Sequence, residues 1–223
     1  MVHLYLMRHG QSHVNLTDLT ATHRDDPLTD IGRSQAEAAA PYIAESITPT
    51  QIYSSTVARA AETAAIVSQA CGVPVQPDDR LREIGTAHPD GRPVAEADLV
   101  PYVPDMWGTL RPYEPVTDGG ESWMQFRSRV GSFIEHLVPA KDRFGDREVA
   151  KELENERVLI VCHAGVIEAI FEYVFEKGPW SVVAIHTQNT GLSHLQYRPL
   201  PFLPDWWLHF HNRITHLPED LVT

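Results

Sequence analysis

The chain has 223 residues, 43% of them hydrophobic and 22% charged, with a formal net charge of -12. This is the composition of a soluble globular chain long enough for one sizeable core, read here as a single domain over 1–223. With 18 Lys and Arg against 30 Asp and Glu and no clustered basic stretch, the balance argues against nucleic acid as a partner.

No apolar run reaches the ~18 residues of a membrane span, and the start Met1-Val-His-Leu-Tyr-Leu-Met-Arg8 has no basic leader. No membrane contact and a cytoplasmic location are therefore expected. Leu4-Tyr-Leu-Met7 reads as a short buried strand over 3–8 that ends in Arg8-His9-Gly10, with Asn15 close behind. In open α/β sheets ligands bind beyond the carboxyl ends of strands, so Arg8 and His9 fall at a pocket rim. Arginine offers a planar fork that matches two phosphate oxygens, neutral imidazole can form a covalent intermediate, and Gly10 permits close backbone approach.

A helix follows over Asp30 to Glu45, with Pro41 positioned to bend or end it. A second strand over 51–54 leads through Ser54-Ser55 into an alanine-rich helix from Thr56 to Ala70, which carries Arg59 in its first turns. Arg80-Leu-Arg-Glu83 places a carboxylate in a loop. Between Gly85 and Gly120 the chain is rich in proline and weakly periodic, which points to a cap insertion around 86–120, with Trp107, Arg111 and Tyr113 as candidates to touch a leaving group. A helix from Glu121 to about Pro139 precedes the charged connector Lys141 to Glu156, to which no function is assigned. Val158-Leu-Ile-Val-Cys162 is the clearest buried strand, followed at once by His163-Ala164-Gly165 and a helix to Glu176. Strands over 182–186 and 192–197 complete the alternation. The fold class expected is α/β, a mostly parallel central sheet with helices on both faces. Cys71 and Cys162 read as small core residues rather than a disulfide.

The ordered set Arg8-His9-Gly10-Gln11-Ser12 with Asn15, Ser54-Ser55 to Arg59-Ala-Ala-Glu-Thr63, Leu81-Arg-Glu83, Gly119-Gly-Glu-Ser122 and Cys162-His163-Ala-Gly165 resembles the motifs of the histidine phosphatase superfamily, or phosphoglycerate mutase-like family. The resemblance runs from residue 4 to about Asn189-Thr-Gly191. It implies a phosphoric monoester hydrolase acting on a small phosphorylated metabolite, with His9 as nucleophile and Glu83 as general acid and base. It further implies that Arg8, Arg59 and His163 bind the phosphoryl oxygens, with Asn15 and backbone N–H groups at Ala164 and Gly165 as further donors.

The chemistry so implied needs no metal or other cofactor. A competing reading takes His209-Phe-His211, with His216 nearby, as two imidazoles on one strand face able to hold zinc. The substrate stays open, because Glu83-Ile-Gly-Thr-Ala-His-Pro-Asp-Gly91 matches neither the Arg-His-Tyr-Gly continuation typical of mutases nor the Gly-x-Trp-Glu-Gly of many small phosphatases. The chain also reads as short for a mutase, which favours hydrolysis over phosphotransfer. A mutase-type phosphotransferase and a non-catalytic phospholigand-binding protein remain the alternatives. Trp206, Trp207, Leu208 and Phe210 suit either an edge strand or a homodimer contact.

Overall fold

The structure, a computed structural model, describes residues 1–16, 26–88, 90–95, 111–116, 119–138, 155–175, 178–179, 184–199 and 203–223. Its strands are β1 Val2–Arg8, β2 Gln51–Ser54, β3 Val75–Pro77, β4 Glu156–Cys162, β5 Leu192–Tyr197 and β6 Trp206–Arg213. They form one sheet in the order β3-β2-β4-β1-β5-β6. The first four of that order run parallel, whereas β5 and β6 are antiparallel to their neighbours, so the sheet is mixed. Its helices are α1 His13–Leu16, α2 Asp30–Tyr42, α3 Ala58–Cys71, α4 Trp123–Leu137 and α5 Ala164–Val174.

Burial on both faces explains why the central strands are almost wholly apolar. On one face Leu4, Leu6, Val158 and Ile160 meet Phe126 and Phe133 of α4 and Val166 and Ile170 of α5. On the other, Met7, Ile52, Leu159 and Val161 meet Ala39 and Ala40 of α2 and Ala64 and Val67 of α3. Each large side chain so buried contributes about 1.5–3 kcal/mol of transfer free energy. The small alanines let α2 and α3 lie close to the sheet, which draws their N-termini toward the strand ends where His9 and Ser55 emerge.

Thr29 caps α2 by accepting the Gly32 N–H at 3.0 Å. Pro41 does not end the helical run: α2 passes into a wider π turn over Ile43–Ile47, closed by Thr48 at φ 49°. Ser122 and Gln125 form a capping box at the start of α4.

Two expectations need correction, and a third falls mostly outside the described residues. Residues 184–186 are not a strand, and 182–183 lie outside the described residues; the place beside β1 is taken by β5, and 184–191 instead form a connection that turns under the Arg8-His9 loop. Much of the 86–120 segment, including Trp107, lies outside the described residues, and no cap is assigned; Arg111 and Tyr113 are exposed on the turn before α4, Arg111 paired with Glu114 at 3.1 Å. The histidines of β6 do not share a face. Register shifts against β5 place His209 over His194, while His211 sits edge-on to Phe171 of α5, its Nδ1 at Ser193 Oγ and its Nε2 at the His186 carbonyl. Among the described residues no group of three or more His, Cys, Asp or Glu is arranged to hold a metal ion.

β6 is an edge strand, one of the two roles considered for it. The short β3 was not foreseen; Pro74 before it and Pro77 at its end suit an edge, where N–H groups are not all needed. Both cysteines are free, Cys162 buried in β4 and Cys71 partly exposed at the end of α3. No helix of the described residues is long and apolar enough to cross a membrane.

Candidate active site

Parallel pairing of β1 with β4 sets Arg8 opposite Cys162, so the next residues, His9 and His163, leave the sheet side by side. The His9 N–H donates to the Cys162 carbonyl at 2.9 Å, and the two rings meet edge-on with centroids 5.1 Å apart. Both histidines are buried.

His9 is fixed in one tautomer. Its Nδ1 lies 2.6 Å from the Gly10 carbonyl oxygen, which can only accept, so Nδ1 carries the proton. Its Nε2 accepts from Arg59 Nε at 3.0 Å, which requires an open lone pair. Burial holds the imidazole pKa well below its ordinary value, with the positive charges of Arg59 and Arg8 acting in the same direction. The ring is therefore neutral at pH 7, with its unprotonated nitrogen facing a guanidinium.

Arg59 reaches this position because β2 ends at Ser54 and α3 begins at Ala58, its first turn lying against the strand ends. Thr63, one turn further on, donates to the Arg59 carbonyl at 2.8 Å and accepts the Gly10 N–H at 3.1 Å. A single hydroxyl thus joins the helix carrying Arg59 to the loop carrying His9. Arg8 donates to the Thr187 carbonyl at 2.6 Å, while its buried Nε has no acceptor among the described residues. His163 Nε2 lies 2.9 Å from Ser55 Oγ, and its buried Nδ1 has no partner among the described residues.

Glu83 closes the site from a loop. Its Oε1 accepts the Ile84 N–H at 3.0 Å and its Oε2 accepts the Gly165 N–H at 3.2 Å, so a distant carboxyl caps the first turn of α5. Those bonds and the charges of Arg59 and Arg8 lower its pKa, yet desolvation outweighs them and the net direction is upward. The Gly165 N–H, expected to be a free donor for an anion, is committed to Glu83. Asn15 is exposed, and its Oδ1 accepts from Ser12 N–H at 3.0 Å and from Asn189 Nδ2 at 3.3 Å. That leaves its amide nitrogen as the group able to meet a ligand.

Several residues that hold this arrangement were not singled out in the sequence. Asn189 donates to the His9 carbonyl at 3.1 Å, and the Thr190 N–H reaches the Arg8 and His9 carbonyls at 3.1 and 3.2 Å. Arg82 donates to the Thr86 carbonyl and to Thr56 Oγ1, and Thr86 Oγ1 donates to the Glu83 carbonyl at 2.6 Å. From α4, Arg129 donates to the carbonyls of Asp79, Arg80 and Arg82 while paired with buried Glu121 at 2.6 Å. The available signals were Asn189 in the Asn189-Thr-Gly191 run just before β5, and Glu121 in the Gly-Gly-Glu-Ser motif.

The site thus combines an unprotonated, buried imidazole nitrogen with two guanidinium groups, an uncommitted imidazole edge and a carboxyl biased toward its acid form. These are the parts needed to bind a tetrahedral oxyanion and to displace an oxygen from it.

Comparison with known proteins points the same way. Residues 4–207 match the histidine phosphatase superfamily, branch 1. A "probable phosphoglycerate mutase GpmB" of Proteus mirabilis (strain HI4320) is 26% identical over 212 residues, covering 93% of this chain and 91% of that protein. "Phosphoglycerate mutase-like protein 4" of Arabidopsis thaliana is 29% identical over 171 residues, with coverage of 76% and 69%. Among solved structures, a phosphoserine phosphatase of Entamoeba histolytica superimposes with a TM-score of 0.72 at 22% identity, covering 98% of this chain and 100% of that one. A mycobacterial glucosyl-3-phosphoglycerate phosphatase gives 0.67 at 24% identity, with coverage of 94% and 98%. Since the match takes in β1 through the start of β6 and includes every side chain gathered around His9, the chain belongs to the histidine phosphatase superfamily.

Proposed function

We propose that the protein is a metal-independent phosphomonoesterase that hydrolyses a small phosphorylated metabolite through a phosphohistidine on His9. The observation that carries this reading is the fixed tautomer of His9, with Nδ1 tied to the Gly10 carbonyl and Nε2 left as the open nitrogen.

In the reaction, the substrate phosphate displaces the Arg59–His9 hydrogen bond and takes Arg59, Arg8 and His163 as donors to its equatorial oxygens, with the Asn15 amide alongside. His9 Nε2 attacks phosphorus in line, the P–O bond to the leaving group breaks, and protonated Glu83 gives its proton to the departing oxygen. Glu83, now a carboxylate, accepts a proton from water as water attacks the phosphohistidine, which returns His9 and releases phosphate. The net charge of -12 repels phosphorylated ligands at long range, but salt screens charges beyond about 8 Å. The local guanidinium groups therefore govern binding.

Release of phosphate from a panel of phosphomonoesters in EDTA tests the reading. Wild-type turnover with an acid-labile phosphoenzyme, both lost in His9→Ala, is the expected result. Turnover that survives the substitution, or that requires metal, would overturn it.

One observation favours a second reading. The relatives named as mutases are matched over as much as 91% of their length, so chain length does not separate hydrolysis from phosphotransfer here. Isomerisation of 3-phosphoglycerate on addition of 2,3-bisphosphoglycerate, outrunning phosphate release, would assign a mutase instead.

A further inference from the structure

The second histidine of the site is where geometry leaves a choice that chemistry can decide. His163 is fully buried, and Ser55 is equally buried directly after β2. The Ser55 hydroxyl has one proton and two lone pairs. The Val57 N–H, at the N-cap of α3, takes one lone pair at 3.3 Å. His163 Nε2 lies 2.9 Å from the same oxygen.

Two arrangements are compatible with that distance. If Nε2 carried the proton, His163 would donate to Ser55, the serine proton would be left without an acceptor, and the bare lone pair of Nδ1 would be the group left uncommitted. If instead Ser55 donates to Nε2, the serine proton gains an acceptor and the Nδ1 N–H is the one group left uncommitted. Burial favours the second, because an unmade hydrogen bond inside a protein costs more than a made one gains. The two nitrogens of an imidazole point to opposite sides of the ring, so Nδ1 is directed away from Ser55. Among the described residues it is buried without a protein partner, on a ring that contacts His9.

Resting on the phosphohistidine reading above, we propose that Ser55 is a positioning residue that holds His163 as its Nδ1–H tautomer, so that an N–H donor rather than a lone pair faces the substrate phosphate. The path runs Val57 N–H to Ser55 Oγ–H to His163 Nε2, and from His163 Nδ1–H to a phosphoryl oxygen. It explains why a helix N-cap and a catalytic-site histidine share one hydroxyl. The relay starts at α3, which also carries Arg59, so the same helix start orients two of the phosphate donors. Ser55 itself touches no reacting atom.

The experiment is long-range proton–nitrogen NMR of histidine side chains in protein labelled with nitrogen-15 at histidine, without ligand and near neutral pH. The His163 signals are identified by their loss in His163→Gln. The Nδ1–H pattern is expected in the wild type and in Ser55→Thr, which keeps the hydroxyl. Ser55→Ala should move His163 toward the Nε2–H pattern and weaken vanadate binding by about 10-fold, the scale of one hydrogen bond.

An Nε2–H pattern in the wild type, or an unchanged tautomer in Ser55→Ala, overturns the assignment. The wild-type spectrum alone decides if the alanine variant does not fold. Because the spectrum reads protonation and not turnover, a wild type with the Nδ1–H tautomer but no His9-dependent hydrolysis would overturn the phosphatase reading and leave Ser55 in its role.

Discussion

At the scale of single residues, Glu83 is the group whose chemistry most depends on where the chain puts it. A free glutamate is almost entirely ionised at pH 7, whereas a leaving alkoxide needs a proton. Around Glu83 the protein supplies two backbone N–H bonds and two guanidinium charges that favour the carboxylate, and a desolvated setting that favours the acid; the latter dominates and the pKa rises. His9 is displaced in the opposite direction and stays unprotonated. On the proposed mechanism, the two shifts open a pH window in which His9 is unprotonated and Glu83 protonated at once. Activity should fall on the acid side as His9 is protonated and on the alkaline side as Glu83 ionises, giving a bell. Glu83→Gln should remove the alkaline limb and lower kcat for alkyl phosphates by about 10²–10⁴-fold. With p-nitrophenyl phosphate, whose leaving group needs no proton, the same variant should form phosphoenzyme in a burst and then stall, because the base for the second step is missing. Rapid-quench kinetics distinguish these outcomes, and a variant that hydrolyses both substrates like the wild type would remove Glu83 from the mechanism.

At the scale of elements, the site is a meeting of strand ends with helix starts, and how well that could be read from sequence varied with distance along the chain. Arg8-His9-Gly10 and Cys162-His163-Ala-Gly165 were legible because each follows on an apolar run and the two belong to one ordered set of motifs. The supports were not legible, since they join segments far apart in sequence: Asn189 to His9, Arg129 of α4 to the turn before Glu83, Thr63 to Gly10. No local pattern distinguishes a threonine that bridges two elements from one that lies on a helix surface. The contact of α2 with the catalytic loop shows what such support requires. Gly32, in the first turn of α2, and Gly10 touch backbone to backbone, and a Cβ on either would overlap a carbonyl, of Gln11 for Gly32 and of Gly32 for Gly10. The side chain of neighbouring Gln35 accepts the Gln11 N–H at 2.8 Å, so the helix cannot retreat without breaking that bond. Gly32→Ala should therefore cost about 1–3 kcal/mol of stability, the usual scale of overpacking, and lower kcat through displacement of the His9 loop. Chemical denaturation with parallel kinetics tests this; a variant of wild-type stability and activity would mean that α2 is free to shift.

At the scale of the whole molecule, the placement of its imidazoles makes stability depend on pH in a direction that can be worked out. Twelve histidines in 223 residues include His9 and His163 at the site, a stack of His3, His194 and His209 across β1, β5 and β6, and His216 against Tyr42. Burial lowers the pKa of His194 and of His216 to about 4. A group whose pKa is lowered on folding contributes stability that is present above its unfolded value near 6.5, and that is lost as pH falls through the folded value. Glu83 and Glu121 run the other way: their pKa values are raised, so what they contribute is present at low pH and is lost as pH rises through those values. Protonation of Glu83 and Glu121 therefore does not favour acid unfolding, whereas protonation of His194 and His216 does, as does protonation of Asp78, whose pKa, against desolvation, its Arg80 partner lowers. In the stack, His3 Nδ1 and His194 Nε2 lie 2.9 Å apart, a hydrogen bond that needs one proton between two nitrogens and becomes a repulsion when both rings are charged. The unfolding midpoint in urea should accordingly decline between about pH 6.5 and pH 4, the interval bounded by the unfolded and folded values of His194 and His216. After discounting for solvent, which half-buried His216 still meets and which reaches part of His194, each accounts for on the order of 1 kcal/mol across that interval. The double substitution His194→Gln, His216→Gln, measured at matched pH values, should flatten the decline by about 2 kcal/mol while leaving the slope due to ordinary carboxylates in place. If the doubly substituted protein loses stability with acid as steeply as the wild type, the acid sensitivity of the fold resides elsewhere.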